Sequence, residues 1–391
     1  MSDTYPKIML SRSDGVIDLA WGHPSERLHP LVTLKPAVDE LFASGEIAAL
    51  QYSGYQGYGP LIESLAGFLS DQPCYTDPVK PEELYIGYGA SHGLDVACTL
   101  FTRAGDTVWV EEPSYYLVRQ VLIDHRLNIV GVPTDGQGMD VRAAGAMLER
   151  GEIPRPTLVY VIPTYHNPMG TVMPADRRAA LAELAERHDF MVASDEAYHL
   201  LSYGTTPPAP LAAYDRSPDG RVLSLGSFSK VLAPGIKLGW VQAKPKLVDR
   251  YTYSGANFSG GNNNFAAAIV DVAIRSGLLG EHLDSLRGIY RDRVAVMASG
   301  LASALPGATF QVPGGGYYFW VELPDGVDAA ELEHHALEAG VTLRPGPAFS
   351  GEGLFTNCVR LCFALSESDE IAEGLRRLGK AYAGLTGVSS A

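Results

Sequence analysis

Cysteine is scarce: there are four in 391 residues, and Cys74, Cys98, Cys358 and Cys362 show neither CxxC spacing nor a metal-ligand pairing with nearby histidines. That excludes a disulfide framework or a zinc site and leaves buried reduced thiols. Positive charge is short as well, with 30 Lys plus Arg against 45 Asp plus Glu and a formal charge of −15. This is the wrong sign for gripping a phosphate backbone, so no nucleic-acid partner is expected. No apolar run approaches the ~18 residues of a membrane span, and residues 1–15 lack an apolar stretch of signal-peptide length. The chain is therefore read as cytoplasmic, with no membrane partner. Repeats, low-complexity linkers and the GxGxxG and Walker patterns are missing too.

What is present is ordinary globular material. Hydrophobic residues make up 46% and charged residues 19%, and the length admits two or three domains. From residue 84 onward short β-rich runs at 84–86, 107–110, 128–132, 157–162, 190–193 and 222–225 alternate with helical patterns such as 93–103 and 179–188. This alternation predicts an α/β domain with a mainly parallel sheet covered by helices. Further on, a long helix over 281–304, strands over 309–312, 317–322 and 359–364, and a helix over 329–339 predict a smaller α+β unit. The boundaries expected are an arm at 1–48, with one helix over 28–42 packing on the carboxy-terminal unit, a large domain at 49–285 and a small domain at 286–391.

Chemistry concentrates where these strands end. Ser224-Leu-Gly-Ser-Phe-Ser-Lys230 follows a strand and leads to Lys237. A desolvated lysine amine attacks aldehydes and is the usual anchor of pyridoxal phosphate, while Ser227, Ser229 and Lys237 suit a phosphate. Asp195 ends the strand at 190–193, at the sheet edge where α/β proteins bind ligands. A carboxylate there could keep a pyridinium nitrogen protonated, and Tyr198 could donate to a phenolate oxygen; an N-cap and a core aromatic are the plainer alternatives. Asn167 precedes Pro168, which biases its backbone toward an extended or turn conformation. Gly87-Tyr-Gly-Ala-Ser-His-Gly93 lies between a strand and a helix, so its amides and Ser91 could cradle a phosphate. Tyr115 could stack on a planar ring. Arg360, in an apolar strand, needs an anion that is either a ligand carboxylate or an internal ion-pair partner.

Taken together and in this order, these motifs resemble the aminotransferase class I and II family, which has the aspartate-aminotransferase fold. The resemblance runs from about residue 20 to the end. It is densest in Ala49-Leu-Gln-Tyr-Ser-Gly-Tyr-Gln-Gly-Tyr-Gly-Pro60, His166-Asn-Pro-Met-Gly170, 194–198 and 226–239, and strongest toward the 2-aminoadipate and kynurenine-type branch. The resemblance implies pyridoxal 5'-phosphate as cofactor, a large domain with a seven-stranded type of sheet, and a homodimer with a shared active site. It further implies that Lys230 forms the internal aldimine and moves the proton, and that Asp195 pairs with the ring nitrogen. Asn167 and Tyr198 would bond the phenolate oxygen, and Tyr115 would stack on the ring. Ser91, Ser227, Ser229 and Lys237 would hold the phosphate, with Tyr52 reaching it from the neighbouring subunit. Arg360 would take the substrate α-carboxylate, with Gly22 and Asn167 beside it.

Three positions depart from the family pattern: Lys237 and Ile62 replace arginines, and the 88–93 loop places His92 near the phosphate. For the substrate side chain the candidates are His23, Glu26, Arg27, Asn257 and 262–264. The expected activity is transamination between an L-amino acid and a 2-oxo acid. A C–S β-lyase, oxidative deaminase or decarboxylase on the same scaffold is the alternative. A non-catalytic effector-sensing module ranks third, because the charge is acidic and no DNA-binding extension is read before residue 20.

Overall fold

A computed structural model describes residues 15–255 and 261–387. The arm supplies β1 (Ile17–Asp18) and α1 (Leu31–Ser44), and α2 (Gly59–Ser70) leads into the central alternation. That alternation comprises β2 (Leu84–Gly87), α3 (Ala90–Phe101), β3 (Thr107–Glu112), α4 (Val118–Asp124), β4 (Asn128–Asp135), β5 (Gly138–Met139) and α5 (Val141–Glu149). It continues through β6 (Leu158–Val161), α6 (Ala175–His188), β7 (Met191–Asp195), β8 (Val222–Ser227) and β9 (Gly239–Gln242). The remainder is α7 (Pro245–Thr252), α8 (Asn264–Arg275), α9 (Leu278–Ala304), β10 (Thr309–Phe310), β11 (Tyr318–Glu322), α10 (Ala329–Glu338), β12 (Val341–Thr342), β13 (Arg344–Pro345), β14 (Cys358–Cys362) and α11 (Ser368–Thr386).

The large sheet has the order β2-β9-β8-β7-β6-β3-β4-β5. Strands β4, β3, β6, β7 and β8 pair in parallel, and β9 pairs antiparallel with both β2 and β8. All four residues of β6 and all six of β8 are buried, as strands covered on both faces are. The eighth strand, β5, is a two-residue hairpin return on β4 that no apolar run announces. Six strands thus point their carboxyl ends the same way, and the turns carrying Ser91, Tyr115, Asn167, Tyr198 and Lys230 leave from that one edge.

The second sheet, β10-β11-β14-β13, is antiparallel; α10 packs on β13, and α9 meets the residues flanking β11 and β14 through Tyr290, whose ring touches those of Tyr317 and Phe363. In α9 the buried residues Leu279, Leu283, Leu286, Tyr290, Val294, Met297 and Leu301 fall three or four apart, one face of a helix. Gly277 at φ 78° turns the chain into it, which is why α9 starts before the expected residue 281. The arm divides its contacts. Strand β1 pairs with β12, whereas α1 packs chiefly on α8, which lies within residues 49–285. Its buried face of Thr33, Ala37 and Leu41 is small enough to approach the alanine-rich α8. Pro30 caps α1 and Glu26–Leu28 forms a separate 3-10 turn, so the single helix expected over 28–42 is split and shifted. Among the described residues no helix is long and apolar enough to cross a membrane.

Candidate active site

The carboxyl edge of the large sheet faces the small sheet and the arm across a cavity of about 260 Å³. Ser91, Tyr115, Asn167, Asp195, Tyr198, Ser227, Ser229, Lys230, Lys237, Gly22 and Arg360 all line it. At one end, α3 begins at Gly89, whose φ of 102° suits glycine and where no side chain caps the helix. A Cβ on Gly239 would lie 2.6 Å from the Gly89 Cα and 2.4 Å from the Gly226 carbonyl oxygen. Bare backbone therefore lets the loop settle onto β8 and β9. The uncapped amides of the first turn, Ser91, Ser227, Ser229 and Lys237 share this end, a donor set that fits a phosphate. Lys237 adopts φ 54° after the 3-10 turn Pro234–Ile236, a left-handed conformation that turns its side chain out of that turn.

The middle of the cavity holds the titrating groups. Lys230 Nζ donates to the Gly22 carbonyl at 2.8 Å, which joins β8 to the arm. Burial, with a further push from Arg360, brings its amine down to about 8, although Cys362 and Asp195 pull the other way. Asp195 accepts from the Tyr160 hydroxyl at 2.8 Å and the Ala197 amide at 3.1 Å. Burial raises its pKa against those two bonds and the charge of Lys230. The Tyr198 hydroxyl lies 3.0 Å from that of Tyr318.

Arg360 forms the far wall and is 2% exposed. It donates to Asn167 Oδ1 at 2.8 Å and to the Ala20 carbonyl, and its Nε has no partner. Its guanidinium lies between the rings of Tyr318 and Phe349, 4.3 and 4.7 Å from their centroids. Among the described residues no carboxylate pairs with it, so the ion-pair alternative left open by the sequence is not the one realised. With Asn167 Oδ1 occupied, the amide nitrogen is the donor Asn167 has left.

His92 stands behind the loop instead of in the cavity. Its Nδ1 accepts the Tyr88 amide at 3.4 Å, and its ring meets that of Tyr88 edge-on. The i, i+4 spacing on the first turn of α3 folds it back on its own loop, so its Nδ1 is already bonded to the Tyr88 amide. Tyr52 also lies outside the cavity, 84% exposed. Ile62 is buried in α2. Of the side-chain candidates His23 lines the cavity, and burial, with help from Lys230, lowers its pKa to about 4. Arg27 instead pairs with Glu370 at 3.0 Å on the surface, and Glu26 is exposed in the 3-10 turn. Asn262 donates to the Ile86 carbonyl, Asn263 caps α8, and Asn264 bonds the Ala48 and Gln51 carbonyls. These three are structural, and Asn257 lies outside the described residues.

Sequence reasoning passed over Tyr160, Trp21, Tyr116 and Tyr318. Tyr160 carried a signal, since a hydroxyl in the middle of an apolar strand needs a buried partner.

Comparison with known proteins agrees with this geometry. Residues 14–378 match the family model "Aminotransferase class I and II". The aromatic-amino-acid aminotransferase 1 of Thermococcus litoralis is 31% identical over 376 residues, covering 95% of this chain and 89% of that protein. The 2-aminoadipate transaminase of Thermus thermophilus is 30% identical over 380 residues, covering 97% and 93%. The solved kynurenine aminotransferase of Pyrococcus horikoshii superposes with a TM-score of 0.86 at 30% identity, covering 95% of this chain and 92% of that one. With its strand-end lysine, its aspartate and its arginine facing one another across the same cavity, the chain belongs to the aminotransferase class I and II family and is an aminotransferase.

Proposed function

We propose that the chain exchanges the amino group of an L-amino acid with an apolar or aromatic side chain for the oxo group of a 2-oxo acid, using pyridoxal phosphate held on Lys230. The observation that carries this reading is Arg360, a buried cation with an open Nε and no carboxylate partner, facing a lysine and an aspartate. A substrate α-carboxylate supplies the missing anion. The rest of the wall, Trp21, Tyr88, Tyr116, Leu117 and Pro234, is mostly apolar and suits a large side chain.

Pyridoxal phosphate, when bound, supplies an aldehyde and a ring that accepts the electron pair left behind when the substrate loses its α-proton. Ser91, Ser227, Ser229 and Lys237 hold its phosphate, Tyr115 flanks the ring, and Asn167 and Tyr198 donate to the phenolate oxygen. Asp195 keeps the ring nitrogen protonated. Arg360 would orient the substrate by its carboxylate, and Lys230, whose amine burial brings down to about 8, would accept the α-proton and return it. In this reading residues 49–285 carry the cofactor, 286–391 bring Arg360, and the arm at 1–48 closes the site through Gly22.

A homodimer fits the same reading. Leu31, Val32, Phe42, Ile47, Leu50 and Tyr52 are each at least 66% exposed and lie on α1 and the segment after it, both packed beside α8. A second copy covering this belt would bring its Tyr52 to the neighbouring phosphate.

The test is a single turnover of cofactor-loaded enzyme with a phenylalanine-type amino acid and no oxo acid. One equivalent of 2-oxo acid should form and the reaction should stop until an acceptor is added. Borohydride reduction of resting enzyme should leave the cofactor on Lys230. Continued ammonia release without an acceptor would replace this reading with the lyase or deaminase alternative.

A further inference from the structure

One side chain of the cavity wall is placed with unusual constraint and has no part in the scheme above. Tyr318 opens β11, opposite Cys362 in the register with β14. Its ring lies under the Arg360 guanidinium at 4.3 Å, and its hydroxyl lies 3.0 Å from that of Tyr198. A Cβ on Gly22 would fall 1.8 Å from that hydroxyl, so the arm has bare backbone where the oxygen sits. Phenylalanine would provide the same ring contacts. Only the hydroxyl pair requires tyrosine.

Two neutral hydroxyls 3.0 Å apart share one proton direction. Burial raises the pKa of both, that of Tyr318 to about 12, so each keeps its proton at neutral pH. If Tyr198 gave its proton to Tyr318, it would have none for a ligand. The order that leaves Tyr198 free to donate has Tyr318 as donor to the Tyr198 oxygen. A hydroxyl that accepts one bond while donating another is a stronger donor.

Resting on the reading of the site given above, we propose that Tyr318 is a positioning residue: it donates to the Tyr198 oxygen, aims the Tyr198 proton at the cofactor's phenolate oxygen, and through its ring keeps that hydroxyl in register with Arg360. The groups acting on the pair are Arg360, Cys362, Tyr115, Tyr116 and Tyr317, and Lys230, Asp195 and His23 line the same cavity. All of them remain in a Tyr318→Phe variant, which loses one oxygen and little volume.

The readout is the pH midpoint of the visible absorption band of bound pyridoxal phosphate. Donors to the phenolate oxygen draw its electron density away from the proton it shares with the Lys230 nitrogen and so lower that midpoint. Tyr198→Phe should raise it by about 1 unit, the value of a hydrogen bond to a charged group. Tyr318→Phe should raise it by about 0.3 unit, the cooperative share of that bond. In the double variant Tyr318→Phe should add nothing, because its effect passes through Tyr198. An unmoved midpoint in Tyr318→Phe, or an equal shift in both backgrounds, would overturn the relay and leave Tyr318 a packing residue. A wild-type protein that takes up no cofactor, seen as no visible band, would instead overturn the reading of the site and the relay with it.

Discussion

Asp195 and Glu196 are adjacent carboxylates at the end of one strand, and they meet opposite surroundings. Asp195 faces the cavity with two donors, and burial raises its pKa. Glu196 faces the interior behind β7 and accepts from Ser194 at 2.8 Å, the Leu211 amide at 2.9 Å and Thr164 at 3.2 Å, with His199 3.2 Å away. Burial pushes Glu196 up, but His199, Arg178 and these donors outweigh it and hold the carboxyl at about 2. Two of the three buried arginines, Arg178 and Arg360, repeat the contrast. Arg178 has acceptors in Met173, Ala209, Pro163 and Thr164, whereas Arg360 keeps an open Nε. A buried charge whose bonds are complete serves the fold, and one whose bonds are incomplete marks where a ligand completes them.

The contrast is sharpest if each carboxylate is removed in turn. Glu196→Ala leaves Arg178 and His199 buried without their anion and should cost about 3–5 kcal/mol of stability, read from urea unfolding. A loss below about 1 kcal/mol would show the network to be dispensable. Asp195→Ala strands the buried Tyr160 hydroxyl and should cost less, about 1 kcal/mol, and keep the cofactor through its phosphate, while turnover falls about 10²- to 10³-fold. Near-normal turnover would remove Asp195 from the chemistry.

Arginine gives the next test. Arg360→Lys keeps the charge and loses the planar fork, so kcat/KM for amino acids should fall about 10- to 100-fold while amines lacking a carboxylate change little. Equal losses for both substrate types would make Arg360 structural. Arg178→Lys should behave oppositely, lowering stability with the ratio of the two substrate types unchanged.

The same distinction explains what was legible in the sequence. Lys230, Asp195, Asn167 and Ser91 each follow a strand whose apolar run is visible, so their common edge could be anticipated from topology alone. The opposite wall is assembled from remote segments: Lys230 meets Gly22 across 208 residues and Arg360 meets Ala20 across 340. No local period encodes such meetings. Tyr318 was hidden for that reason, since in Tyr317-Tyr318-Phe319-Trp320 nothing marks which ring enters the cavity. The partner of His92 was equally hidden: a strand-to-helix loop suggests a ligand, and the structure shows its Nδ1 accepting its own loop's amide. Short β5 and the break at Pro30 lay below what periodicity resolves.

The smallest effect expected is a pH dependence that separates the two regions in apoprotein. Burial lowers the pKa of His199, but its bonds to Cys74 and Glu196 and the charge of Glu196 raise it to about 9, above the 6.5 of an unfolded histidine. Between those values the native state holds a proton that the unfolded state has released, so stability is full below about pH 6.5 and falls as pH rises toward 9. The slope cannot exceed about 1.4 kcal/mol per unit, and about 1 kcal/mol should be lost from pH 7 to 8. Lys230 acts in the other direction: its pKa is lowered from 10.5 to about 8, so the unfolded state binds the extra proton and stability rises from about pH 8 to 10.5. Urea unfolding at pH 7 and 8 should therefore show a decline that His199→Gln removes and Lys230→Met leaves in place. A decline that persists in His199→Gln would mean that the proton lost belongs to another group, and that His199 is neutral beside Glu196.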